Sequence, residues 1–203
     1  MAFISNGTTI LDAGAFSASL GAMVHIKTLT ASSSGTLSFV HGSSSVVFDS
    51  TYTNYLFKFI NIHTSATANF TFNASIDTGS NYNVVKTSTV FTTGHKEDGT
   101  STYNDYDTGQ DRAQSTAFQN LSYGITTGND ESLSGELFIF NPSSTTYTKH
   151  FMARTQYYDS NFSQNGHIAG YFNNTNDIDA IQFKMSTGNI DSGLIKLYGI
   201  KDS

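Results

Sequence analysis

Alternation of apolar and polar residues dominates the last part of the chain, from Ala180 to Lys201. Its first half places Ile181, Phe183 and Met185 on one side, with polar residues between them. Residues 194–199 alternate in the same way, and Ser, Thr, Gly, Asn and Asp fill the segment between the two halves. A repeat of two residues is typical of strands with one buried side, and the intervening residues favour turns. The pattern therefore predicts two strands that form the closing hairpin of a β-sandwich.

Similar runs recur along the rest of the chain. Residues 55–62 (YLFKFINI) are apolar on both sides, which predicts a central strand. Residues 69–76 alternate cleanly and predict a strand with one polar side. Further strands are predicted at 23–28, 37–40, 46–48, 84–91, 118–121, 133–140, 147–158 and 167–172. No window keeps a helical repeat over three turns. Short strands separated by turn residues predict an all-β fold, an antiparallel β-sandwich or jelly roll.

The first 22 residues differ from the remainder because small residues dominate and the apolar ones keep no single repeat. Such a segment is either an edge strand with a loose turn or an arm that becomes ordered on another subunit. We therefore divide the chain into an N-terminal arm or docking segment, residues 1–22, and a jelly-roll β-sandwich domain, residues 23–203. The arm residues expected to contact a partner are Phe3, Ile4, Ile10, Leu11 and Phe16.

Composition narrows the classes of function. Charged residues make up 13% of the chain and aromatic residues another 13%, so neutral polar side chains must build much of the surface, as suits an all-β protein. The net charge is −6 and the 10 Lys and Arg residues are scattered, which argues against a nucleic-acid partner. The absence of Cys excludes disulfides and thiolate metal sites. We find neither a signal-peptide pattern nor an apolar run of about 20 residues, so we expect synthesis in a cytoplasm and no membrane partner.

The longest polar stretch, residues 93–114, is predicted to be a loop, and loops of this length are usually functional or mobile. Asp105, Asp107 and Asp111 surround a glycine in this stretch. Calcium-binding loops arrange oxygen ligands around a tight turn in this way. The full EF-hand spacing is missing, so a solvated loop with side-chain-assisted turns is the stronger interpretation. Calcium is kept as a candidate ligand of this stretch, and no other cofactor is expected.

Tyr103 and Tyr106 lie in the same stretch and are candidate interaction residues. Aromatic rings beside Asn and Asp can hold sugars through their apolar faces and flanking hydrogen bonds. Alternatively, such rings cap a core or contact another subunit.

No set of residues defines a reaction. The six His residues show no metal-ligand spacing, and no nucleophile motif occurs. A glycosidase would need paired carboxylates, but nearly all the acidic residues lie in predicted turns, with Glu136 as the least ordinary. We therefore predict no catalytic residues and no enzymatic activity.

Two motifs carry a family resemblance: the central strand FKFINI at 57–62 and the closing segment SGLIKLYGI at 192–200. With the segments around them, over roughly residues 23–201, they resemble the β-sandwich virion structural proteins of tailed phages of marine bacteria, of cyanophage and pelagiphage type. These motifs are structural, so the resemblance implies no catalytic residues.

The resemblance implies a function in binding. It implies a virion protein, either a head decoration or cement protein on the outer capsid surface or a tail-fibre or receptor-binding module of lectin-like, glycan-binding type. The expected partners are the major capsid protein or other virion proteins and further copies of the chain, as a trimer, with a host glycan as a ligand in the alternative. The expected location is the virion, after synthesis in the host cytoplasm.

Overall fold

The computed structural model describes residues 3–5, 8–12, 15–16 and 22–201, with side chains from residue 22 onward. Within these residues the chain forms strands and no helix, and therefore no helix able to cross a membrane. Three short strands come first: β1 (Phe3–Ser5), β2 (Thr8–Asp12) and β3 (Ala15–Phe16). The others are β4 (Met23–Ser34), β5 (Leu37–Val40), β6 (Asn54–Thr64), β7 (Phe70–Ser75), β8 (Lys86–Lys96), β9 (Thr102–Tyr106), β10 (Gln119–Asn120), β11 (Leu133–Phe140), β12 (Lys149–Asp159), β13 (Phe162–Phe172), β14 (Ala180–Met185) and β15 (Ile190–Ile200).

Two antiparallel sheets build the body of the protein. The large sheet has the strand order β4-β15-β6-β11-β12-β13-β8-β9, and the small sheet has the order β10-β7-β14-β5. Apolar side chains from both sheets share one core, so the sheets pack face to face. The predicted all-β sandwich is confirmed, and the jelly-roll connectivity stays a prediction.

The core is built from aromatic rings that alternate along the strands. Phe57 and Phe59 on β6 face Phe183 on β14 across the sandwich, with ring centroids 5.2 and 5.3 Å apart. All three rings are buried, and their planes meet edge to face. Aromatic pairs prefer this geometry over a parallel sandwich, and each pair adds about 0.5–1.5 kcal/mol beyond area burial. The apolar alternation of the sequence therefore becomes one continuous interior layer.

The two C-terminal strands exist as predicted, but they do not form a hairpin. Strand β14 pairs with β5 and β7 in the small sheet, whereas β15 pairs with β4 and β6 in the large sheet. The turn between them therefore crosses from one sheet to the other. The apolar sides of the strands meet the same core from opposite directions, which burial favours over lying side by side.

Two other predictions of local structure are wrong. The stretch 93–114 is not one loop, because β8 continues to Lys96 and pairs with β9 as a hairpin. Residues 46–48 form no strand in the described structure, although Val46 and Phe48 are buried. Their backbone groups bond locally instead: the Val46 amide donates to the Ser43 carbonyl at 3.0 Å, and the Phe48 amide donates to His41 Nδ1 at 2.9 Å.

Two lysines are fully buried in one row of the large sheet, with Lys149 on β12 and Lys86 on β8 flanking Phe172 on β13. Lys86 Nζ donates to the Ala117 carbonyl at 2.7 Å, and Lys149 Nζ donates to the carbonyls of Asn174 and Asn176. Burial, with a smaller contribution from nearby Arg112, lowers the pKa of Lys86 to about 7. Burial also lowers the pKa of Lys149. Each amine thus fastens a loop to the end of the sandwich.

Stability should rise with pH above neutrality because of Lys86. Between the folded pKa of about 7 and the ordinary lysine pKa of 10.5, the unfolded chain holds a proton that folded Lys86 lacks. The free energy of unfolding should therefore increase by up to about 1.4 kcal/mol per pH unit over this range. Urea unfolding at about pH 7, 8 and 9 measures this slope. Lys86→Met should have a smaller slope, and an unchanged slope in this variant would contradict the assignment to Lys86.

Candidate binding cleft

An open cleft of about 490 Å³ lies at the β8–β9 edge of the large sheet. It brings together residues that are far apart in the chain, since Thr92, Tyr103 and Gln164 line it with Tyr123 from a connecting loop. Asp105, Asp107 and Thr108 also line it, and Tyr106 borders it. The cleft thus contains aromatic rings, carboxylates, a hydroxyl and an amide within a volume typical of small-ligand sites, about 300–1,000 Å³.

Strand pairing and one glycine place Tyr103 in the cleft. Tyr103 lies opposite Gly94 in the β8–β9 hairpin. A Cβ added at Gly94 would lie 2.2 Å from the Tyr103 ring, so only glycine lets the ring lie flat on the strand. The Tyr103 hydroxyl donates to Gln164 Oε1 at 2.5 Å, which fixes the outer end of the ring. The Tyr103 ring is therefore held in a fixed position, where it forms one wall of the cleft.

A hydrogen-bond network continues behind this wall. The Tyr157 hydroxyl donates to Gln164 Oε1 at 3.2 Å and accepts from the Tyr123 amide at 3.2 Å. Gln164 Nε2 donates to Asp159 Oδ2 at 3.0 Å. Burial raises the pKa of Tyr157 well above its ordinary value and also raises the pKa of Asp159. The phenol therefore stays a hydrogen-bond donor at neutral pH, and the network holds the cleft floor in one arrangement.

The carboxylates near Tyr103 affect its ionisation. Burial first, and then the charges of Asp159, Asp107 and Asp105, raise the pKa of the Tyr103 hydroxyl. The cleft is thus an acceptor-rich site with protonated phenols. Such a site suits a neutral ligand with many hydroxyl groups.

Tyr106 points away from the side of β9 that carries Tyr103. The two residues are three positions apart, and successive side chains of a strand point to opposite sides. The Tyr106 ring packs edge to face against Phe91, its neighbour on β8, with centroids 5.3 Å apart. Its hydroxyl donates to Asp111 Oδ2 at 2.8 Å, and this bond is the main reason that the pKa of Tyr106 is raised. Both predicted interaction tyrosines therefore lie on strand β9, and Tyr106 stands at the rim of the cleft.

The three candidate calcium ligands have different surroundings. Asp107 Oδ1 accepts from the Gly109 amide at 3.1 Å, as in a side-chain-assisted turn, and Asp111 accepts from Tyr106. Asp105 lies on β9 and faces the cleft. Within the described residues, no group of three His, Asp or Glu side chains is arranged to hold a metal ion. The structure therefore does not bring Asp105, Asp107 and Asp111 together.

The arm candidates lie on β1, β2 and β3, where the structure describes the backbone. Phe3 pairs with Leu11, and Leu11 pairs with Phe16, so these three positions share one row. Ile4 lies on β1, opposite Thr9 of β2, and Ile10 also lies on β2.

Sequence reasoning missed the other half of the cleft. Tyr123 stands in a turn before Gly124, and its side chain is 56% exposed, but nothing local pointed to Tyr103 as its neighbour. Gln164 lies on the buried side of β13. A polar amide at a position that alternation assigns to the buried side of a strand was the one usable signal for this part of the cleft.

Known proteins offer no identification. No protein-family model matches the chain, and neither a comparison with curated proteins nor one with solved structures finds a significant match.

Proposed function

We propose that the protein is a structural component of a tailed-phage virion, a head decoration or cement protein bound to the outer capsid surface. The sequence resemblance and the β-sandwich fold both support this proposal. The observation that carries it is the arm: β1, β2 and β3 form a three-stranded sheet of their own and, among the described strands, pair with no strand of the sandwich.

A separate small sheet at one end of a chain is a suitable docking element. Three strands of two to five residues offer little area to bury and are marginal on their own. Contact with a second protein would supply the missing burial. The arm row of Phe3, Leu11 and Phe16 is the surface that we assign to the capsid partner.

Deleting residues 2–22 should leave the sandwich folded, because its first strand starts at Met23. The shortened protein should keep the β-sheet circular dichroism and the cooperative unfolding of the full chain. It should also fail to co-sediment with capsids that bind the full chain. Undiminished binding of the folded, shortened protein would overturn the arm as the docking element.

The amount of the protein in purified particles separates the two virion locations. Quantitative mass spectrometry should find a copy number comparable to that of the major shell protein. A much lower number, in the range of tail components, would favour a fibre or adaptor, and complete absence from particles would overturn the virion proposal.

The cleft favours a second candidate function, glycan binding in a receptor-binding module. Tyr103 and Tyr123 offer rings for stacking on a sugar, while Asp105 and Asp107 offer carboxylates that accept hydrogen bonds from hydroxyl groups. Lectin-like sandwiches hold sugars through this combination of groups.

A glycan array tests this second function with one informative variant. Tyr123→Ala should abolish any binding that the wild type shows, because its exposed ring forms one side of the cleft. Tyr147→Ala is the matched control, since that ring is 71% exposed and lies outside the cleft. A wild type that binds no glycan, or equal binding by all three proteins, would overturn the assignment of the cleft to sugars.

A further inference from the structure

The outer face of the large sheet has the composition of a contact surface. Along the middle of this face, Phe138 on β11 lies beside Met152 on β12, and Met152 is 55% exposed. Phe138 also stacks on Phe140 of the same strand, with ring centroids 6.2 Å apart. Aromatic residues, Met and Arg are the types enriched in protein–protein interfaces. The small sheet covers the opposite face only.

Beside this apolar row runs a row of charged side chains, of which only some form an ion pair. Glu136 on β11 lies between Lys58 on β6 and Arg154 on β12. Its carboxylate contacts Lys58 Nζ at 3.5 Å, and both side chains are more than one-third exposed. Arg154 donates from Nε to Asn165 Oδ1 at 3.4 Å, and no carboxylate in the described part of the chain pairs with its guanidinium. Arg154 is therefore a cation of this face with no carboxylate partner among the described residues.

We propose that this face binds the same face of a second copy, about a two-fold axis that runs parallel to the strands between β11 and β12. Rotation about this axis lays β11 of one copy over β12 of the other. Glu136 then faces Arg154, and Phe138 faces Met152. Each pairing occurs twice, because a two-fold interface uses the same patch on both subunits. Ser134 and Gln156, the next cross-strand pair, also face each other.

The strands farther from the axis match less well. Rotation brings Lys58 on β6 opposite His167 on β13, and it brings Leu56, which is already buried in the single chain, opposite Ala169. The twist of both sheets separates them with distance from the axis, so the central pairs make the closest contact. A charged pair enclosed at the centre of an interface gives orientation and specificity as well as affinity.

The size of the face is sufficient for a stable dimer. Eight strands at about 4.8 Å spacing, with up to 12 residues at about 3.3 Å each, give a face of at most about 1,500 Å². A standard protein–protein interface buries about 800 Å² on each partner. The residues that face each other across this axis belong neither to the arm nor to the cleft lining, so the test uses other residues than the virion proposal does. A two-fold dimer also differs from the trimer that the resemblance implies.

Sedimentation equilibrium of the full chain tests the proposal, with variants in which the charges of Glu136 and Arg154 are reversed. Wild type should sediment at twice the mass of the 203-residue chain. Arg154→Glu should raise the dimer dissociation constant at least about tenfold, because it places carboxylates against Glu136 twice. The double variant Glu136→Arg/Arg154→Glu should restore the dimer, since the exchanged charges again face each other. Lys184→Glu, the same charge change on the small sheet, is the matched control and should leave the dimer unchanged.

Circular dichroism should show that all variants stay folded, because Arg154 is exposed and Glu136 and Lys184 are partly exposed. A wild type that is a monomer or a trimer at all soluble concentrations would overturn the proposal. So would a double variant that dissociates as readily as Arg154→Glu. Equal loss of the dimer in Lys184→Glu would also overturn it, because the effect would then follow net charge rather than this pairing.

Discussion

Replacing Phe183 with alanine is expected to lower the free energy of unfolding by about 3–5 kcal/mol. The ring is fully buried at the centre of the core, and its centroid lies 5.2–6.3 Å from those of its neighbours. These neighbours come from both sheets: Phe39, Phe57, Phe59, Phe70 and Phe72. Removing the ring loses its transfer free energy and leaves a cavity that five rigid rings cannot fill. Since domains of this kind are stable by about 5–15 kcal/mol, the loss is a large share of the total.

Urea denaturation followed by tyrosine fluorescence measures this change. Phe91→Ala is the matched control, because that ring is 48% exposed and packs against the partly exposed ring of Tyr106. We expect the control to cost less than about 1.5 kcal/mol. Similar losses for the two variants would show that Phe183 is not the centre of a close-packed core.

Gly193→Ala is expected to destabilise the protein by about 3 kcal/mol or more, although it adds a single methyl group. Gly193 has φ of +118°, a backbone conformation that side chains with a Cβ rarely adopt. It lies where the register of β15 shifts against β6, and Asn61 on β6 also has a positive φ, of 49°. A Cβ at Gly193 would lie 2.6 Å from the Asn61 carbonyl oxygen. Neither backbone can move without breaking the ladder between the two strands.

The matched control separates conformation from crowding. Gly42 also has a positive φ, of 77°, but a Cβ there would have no atom within 4 Å. Gly42→Ala should therefore cost only about 1 kcal/mol. Thermal unfolding of the two variants measures the difference, and equal shifts in the melting temperature would contradict a clash between β15 and β6.

The arrangement of the small sheet shows where local pattern stops being informative. Residues 69–76 predicted a strand with one polar side, and β7 is that strand, but its polar residues are buried as well. Asn73 Nδ2 donates to the carbonyls of Tyr82 and Thr116, at 2.7 and 2.9 Å. Connecting segments cover this side and satisfy its polar groups, and no repeat within the strand could predict a cover that comes from elsewhere in the chain.

The cleft makes the same point for function. Tyr103, Asp105 and Asp107 were visible as candidates because they cluster within five residues. Gln164 could not be found in this way, because it lies 61 residues from Tyr103 and meets it only after β13, β8 and β9 pair. The pairing also turns Tyr106 toward Phe91 and leaves Asp111 bonded to Tyr106, away from any shared metal site.

The sequence by itself determined most of the segments that become strands and, for most strands, which side faces the core. Alternation is a local property of a strand, and burial of apolar side chains acts on it directly. Only the tertiary structure decided which strands become neighbours. Strands β14 and β15 are adjacent in the chain but lie in different sheets, because backbone hydrogen bonds are the same for every residue pair and carry little information about the partner. The final pairing is the one that buries all the apolar sides together.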